Sequence, residues 1–402
     1  MVIYSDNLNK RIETTLLWLT VLAIIASAFH FWPFTSSPLW KVANIANLSI
    51  IAGAVIVIVY NAFWNLNKTG LQRISIPLSI WAYLLFHVLS SAYADTLSRP
   101  VIYTYKIFLV MAGGYLLFIQ AMNRSNIHWV CWSIIVACGI SLFSALYTQY
   151  GLQNDCCGFF ENTYKYGTYM SIVGSFGIVY LLAGRGFWHS VFAFILLLGL
   201  ACTFQNIGGM IGTLSGLAAG LIGWKGLSRK VLYLAILAFI LAGLFLNPAI
   251  LRDSKILEND GQNLRQRYIE WQAELNMLQR YGITGSGAGS INDYRSEYYD
   301  RMPKLNTLQP FDQNGWVTIP AEIGLMGLFC FIWILYEHGR YVFRNQPEMS
   351  PEISRVRVAL KAAFVACCVG NLFSSVHYNG VLIGFVLILG LSKSIDQLNR
   401  KG

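Results

Sequence analysis

Apolar residues run along this chain in unbroken blocks, and each block is close to the roughly 20 residues that an α-helix needs to cross a hydrocarbon core of about 30 Å. Blocks at 14–32, 40–60, 75–92, 101–122, 128–149, 163–183, 187–204, 207–223, 230–247, 315–336, 357–376 and 380–395 predict an all-α polytopic membrane protein of about twelve transmembrane helices. The first block, Thr14 to Trp32, follows Lys10 and Arg11 as the core of a signal peptide would. It is long, however, and runs into Phe31-Trp32-Pro33 without a small-residue cleavage site, so it is read as a spanning helix.

Composition agrees with the pattern. Of 402 residues 55% are hydrophobic and only 12% charged, against about 25% charged in a soluble domain. This excludes a water-exposed globule. Short loops rich in Lys and Arg stay in the cytoplasm. A cytoplasmic N-terminus puts Lys10, Arg11, Lys68, Arg73, Arg124, Arg185, Lys225, Arg229, Lys230, Arg340, Arg344, Arg355, Arg357, Lys393, Arg400 and Lys401 on that side. The short outer loops then keep only Lys41, Arg99 and Lys165, and both termini are cytoplasmic. The net charge of +10 thus reads as a topology and anionic-lipid signal, with the bilayer as partner and no call for nucleic acid. Of eight cysteines, six lie within apolar blocks as small packing residues, while Cys156 and Cys157 fall in an outer loop where oxidation would be permitted.

The blocks divide the chain into residues 1–247 with helices one to nine, 248–313 as a large periplasmic loop, and 314–402 with helices ten to twelve and a short cytoplasmic tail. A structureless loop of that length inside a compact protein is usually functional. Its segment 263–281 predicts a surface helix, with Tyr268, Trp271, Leu275 and Leu278 at helical spacing and Arg265, Glu274 and Gln279 on other faces. The run Gly282-Ile283-Thr284-Gly285-Ser286-Gly287-Ala288-Gly289 follows, and its glycines allow either a tight turn or an amide-lined cradle for an anion. Beyond it, Phe311-Asp312-Gln313-Asn314-Gly315-Trp316 leads into helix ten, on which Asn314, Thr318 and Glu322 recur every fourth residue along one side. Ionisable groups inside spans are rare and commonly line a cavity or reaction path, which makes Glu322 a candidate.

Taken together, Arg267-Tyr268-Ile269-Glu270-Trp271, Gly285-Ser286-Gly287, and Gln313-Asn314 followed by Glu322-Ile323-Gly324-Leu325-Met326-Gly327-Leu328 resemble the O-antigen ligase and polymerase superfamily. The resemblance implies a metal-independent and cofactor-free glycosyltransferase of the bacterial inner membrane. Such an enzyme moves a glycan from an undecaprenyl-pyrophosphate carrier to an acceptor hydroxyl at the periplasmic face. The acceptor is another glycan or lipid A core, and a chain-length regulator is a conceivable partner. Arg267 matches the family's loop-helix arginine, suited as a fixed cation to the pyrophosphate leaving group, with Arg265 and Arg280 as neighbours.

Two positions depart from the family pattern. Asn206 in Thr203-Phe204-Gln205-Asn206 stands where an arginine is usual, and Lys106 or Arg99 could supply that charge. Gln313-Asn314 replaces the ligases' His-Asn pair, with Asp312 one residue earlier as the expected base, helped by Asn314. Glu322, deeper in the span, is expected mainly to position the helix. The missing histidine favours a polymerase slightly over a ligase. A flippase for the same lipid-linked sugars is the alternative of another class, although the sequence lacks the internal repeat such transporters carry.

Overall fold

The computed structural model describes residues 2–29, 45–63, 76–94, 97–122, 126–151, 160, 163–184, 186–203, 207–222, 270–291, 314–344, 350–377 and 379–400. Every regular element among them is helical. In chain order they are α1 (Val2–Ser27), α2 (Ile45–Phe63), α3 (Leu78–Ala92), α4 (Ser98–Ala121), α5 (Ile127–Leu146), α6 (Thr163–Leu182), α7 (Phe187–Thr203) and α8 (Ile207–Ile222). The remainder are α9 (270–281), α10 (Gly315–Phe343), α11 (Pro351–Gly370) and α12 (Asn379–Arg400). The predicted span 230–247 lies outside the described residues.

Among the described residues, five stretches are long and apolar enough to cross a bilayer: Ile45–Ala62, Ser98–Ala121, Ile127–Gln149, Gly315–Phe343 and Gly380–Leu398. Leu78–Ala92 and Phe187–Thr203 are shorter apolar helices. Large apolar side chains point outward along them, with Phe143 73% and Phe329 64% exposed. Hydrocarbon solvates such groups and water does not. The chain is a multi-pass α-helical membrane protein.

Helices in lipid gain little from the hydrophobic effect against one another, so close approach through small residues holds them. In α8, Gly208, Gly212, Gly216 and Gly220 recur at every fourth position; the last three face α6 and α11, and Gly208 faces Phe373 just beyond α11. A Cβ at Gly216 would sit 2.7 Å from both the Ala362 carbonyl and Ser175 Oγ, so any larger residue would push the three helices apart. A second association joins α3 to α10. Along α3, the polar residues Ser79, Tyr83, His87, Ser90 and Ser91 are all buried. Ser79 donates to Glu337 Oε2 of α10 at 2.7 Å, and Tyr341 donates to Oε1 of the same carboxylate at 3.2 Å. Lys393 of α12 donates to the Tyr341 hydroxyl at 2.8 Å. Hydrogen bonds thus anchor α3, α10 and α12 at the Glu337 level, while the opposite end of the α3–α10 seam carries the candidate site.

Candidate functional site

The site is built where α10 breaks. Asn314 caps that helix: its backbone is extended and its side-chain oxygen accepts the Trp316 N–H at 3.0 Å. The Gly315 N–H is left without a partner inside its own helix and donates to the Asn371 carbonyl at 2.8 Å. A Cβ at Gly315 would lie 2.0 Å from Asn371 Oδ1, so only glycine lets this loop approach so closely. The same Oδ1 accepts the Val376 N–H at 3.0 Å, which shapes the 371–377 loop around the mouth of α10.

Helical backbone runs from there through Pro320 to Gly324, where φ is 77° and ψ is 172°. The predicted span 315–336 is therefore two helical pieces, not one. The break strips the Ala321 and Glu322 carbonyls of their regular donors, a costly arrangement at membrane depth unless protein supplies others. The glycine run supplies them. Ser286 N–H donates to Ala321 O at 3.0 Å and Gly287 N–H to Glu322 O at 2.9 Å, while Leu325 N–H donates in return to Gly282 O at 3.3 Å. Ser90 of α3 adds its hydroxyl to Glu322 O.

This decides between the two uses the glycine run allowed. Gly282, Gly285, Gly287 and Gly289 all have positive φ, and the amides of Ser286 and Gly287 are spent on the carbonyls of the break. The run is a plug for α10, and an anion cradle would need those same amides free. Tyr103 of α4 covers Gly289, and Ala94 and Pro100 press on Gly287.

α9 leads into the plug with an unexpected face inward. Its buried positions are Glu270, Ala273, Glu274 and Met277, at helical spacing, while Leu275 is exposed and Trp271 and Leu278 are half-buried. Of the apolar stripe read from the sequence Leu275 therefore faces outward, and the two glutamates face the protein. Glu274 Oε1 accepts the Thr318 hydroxyl at 3.1 Å. Met277, Ile291 and Ala321 form a small apolar core behind this contact.

Asn314, Thr318 and Glu322 therefore share one buried face with Glu274 and the plug, and Glu322 is only 2% exposed. The Asn314 oxygen is the helix cap, so what this residue can offer a ligand is its NH2 group. Arg280 is exposed at the end of α9 with its guanidinium 5.4 Å from the Tyr281 ring centre. Arg99 is exposed on the first turn of α4 beside Pro100, hence next to the plug. Lys106 is half-buried two turns further along α4. Arg265, Arg267, Asp312 and Asn206 lie outside the described residues.

Three residues were missed by the sequence reading. Tyr83 and His87 of α3 meet His377 of the 371–377 loop. The Tyr83 hydroxyl bonds His377 Nε2, and the two imidazole centres are 5.4 Å apart. The signal for the α3 pair was present, since Ser79, Tyr83, His87 and Ser90 recur every three or four residues in an otherwise apolar block. Comparison with protein families and with curated proteins finds no match to this chain.

Proposed function

We propose that this chain is a twelve-span glycosyltransferase of the O-antigen ligase and polymerase type, with the polymerase form favoured. It takes an undecaprenyl-pyrophosphate-linked glycan at the periplasmic face of the inner membrane, and both its termini are cytoplasmic. One observation carries the reading. The segments that bear the resemblance are far apart in sequence, yet Glu274 of α9, the glycine plug and the Thr318 to Glu322 stretch of α10 pack into a single buried polar site.

Arg267 would meet the negative charge that grows on the departing pyrophosphate, as a fixed guanidinium does without reorganisation. Arg99, Arg280 and Lys106 would line the approach of the anionic carrier. Asp312, Asn314 and Glu322 belong to the acceptor side. The test is reconstitution: purified protein in liposomes with an undecaprenyl-pyrophosphate-linked repeat unit should yield a ladder of longer lipid-linked glycans. Transfer only to added lipid A core would make it a ligase.

A flippase is the second reading, favoured by the break at Gly324, because discontinuous helices are common in transporters. The carbonyls of this break are bonded to the plug, however, and so do not line a path. Movement of the intact lipid-linked sugar between leaflets without bond cleavage would establish that reading instead.

A further inference from the structure

The imidazoles of His87 and His377 are buried, 0% and 5% exposed respectively. Both nitrogens of His87 and Nδ1 of His377 find no hydrogen-bond partner among the described residues. Buried polar atoms are ordinarily bonded, so three unpaired nitrogens on adjacent rings call for a ligand. Among the described residues no third His, Cys, Asp or Glu joins them as a metal site would require. A sugar hydroxyl fits, because each one both donates and accepts.

The surroundings agree. His377 hangs on the loop that receives the first amide of α10, beside the Asn314 cap. Tyr83 and His87 of α3 and Tyr103 of α4 face its ring, and Tyr103 also covers Gly289 of the plug. Burial disfavours the charged imidazolium and pushes the His377 pKa down to about 4, so the ring rests neutral at neutral pH and holds a proton only transiently.

We propose that His377, oriented by Tyr83, is the base that takes the acceptor's proton, a role the sequence alone assigned to Asp312. The proposal rests on the glycosyltransferase reading. With Nε2–H donating to the Tyr83 oxygen, Nδ1 presents its lone pair, the base-and-orienter arrangement of activated nucleophiles. The acceptor O–H gives its proton to Nδ1 while its oxygen forms a bond to the anomeric carbon of the donor. The bond from that carbon to the pyrophosphate oxygen breaks, and the undecaprenyl pyrophosphate leaves with the electron pair. His87 holds the acceptor through a neighbouring hydroxyl and is a binding residue.

The experiment is transfer in liposomes from a purified undecaprenyl-pyrophosphate-linked donor, comparing the wild type with His377→Gln, Tyr83→Phe, Asp312→Asn and Arg267→Ala. Glutamine keeps a polar group of similar reach but cannot act as a base. The expected result is a fall in kcat of about 100-fold or more for His377→Gln with donor KM kept, and a smaller fall for Asp312→Asn. Tyr83→Phe leaves the 371–377 loop intact, so it serves if His377→Gln fails to fold. It should lower kcat with KM unchanged. Should His377→Gln, or a folded Tyr83→Phe in its stead, stay within threefold of wild type while Arg267→Ala is inactive, the base assignment fails and the glycosyltransferase reading stands. No transfer by the wild type overturns both.

Discussion

Gly285 of the loop and Gly324 of α10 meet backbone to backbone. A Cβ on Gly285 would lie 2.5 Å from the Gly324 nitrogen, and one on Gly324 would lie 1.8 Å from the Ile283 carbonyl oxygen. Both have positive φ, so each is glycine for two reasons, conformation and space. Gly324→Ala should destabilise the protein by more than the about 1–3 kcal/mol that left-handed strain alone costs, because the plug must also move. Thermal unfolding in detergent and the yield of folded protein on size exclusion measure this. A Gly324→Ala protein with unchanged unfolding would contradict the interlock.

Glu322 holds the plug with its main-chain carbonyl, which accepts from Gly287 N–H and the Ser90 hydroxyl. Glu322→Gln should therefore leave folding intact and reduce transfer only mildly. Ser90→Ala, which removes a hydroxyl donor to that carbonyl, should cost about 1 kcal/mol. A Glu322→Gln enzyme that is stable but inactive would make the carboxylate itself catalytic.

Arg267→Ala should abolish glycan transfer while the protein still inserts and accumulates. Arg267→Lys should also be poor, because an ammonium cannot make the paired contact of a guanidinium with phosphate oxygens. Normal glycan banding on a gel from cells carrying the alanine variant would remove this residue from the mechanism.

The loop 248–313 should face the periplasm, since the basic residues gather in the alternate loops. Single cysteines at Asn259 and Asn292, in a background freed of native cysteines, should react with a membrane-impermeant thiol reagent in intact spheroplasts. Labelling that requires lysis would invert the topology.

The membrane class was legible in the chain because hydrocarbon imposes one requirement, about 20 apolar residues closing their own backbone bonds, and that requirement is local. The α9 helix and the α10 entrance were legible on the same ground. Helical spacing also placed Asn314, Thr318 and Glu322 on one side of α10. The bonding of Thr318 to Glu274 did not follow from spacing, since it joins residues from separate elements.

What the tertiary structure alone decided concerns partners far apart in sequence. Nothing local distinguishes a glycine run that cradles an anion from one that plugs a broken helix, because both need amides displayed at positive φ. Only the carbonyls of Ala321 and Glu322, brought alongside by the break at Gly324, settle which it is. In the same way His87 and His377 read singly as buried histidines. Their meeting at Tyr83 depends on α3 packing against α10 and on Asn371 shaping the loop that follows α11. Hydrophobic pattern fixes which segments enter the membrane. Which polar groups face each other inside it is set by how the helices associate, and that depends on small residues and hydrogen bonds spread over the whole chain.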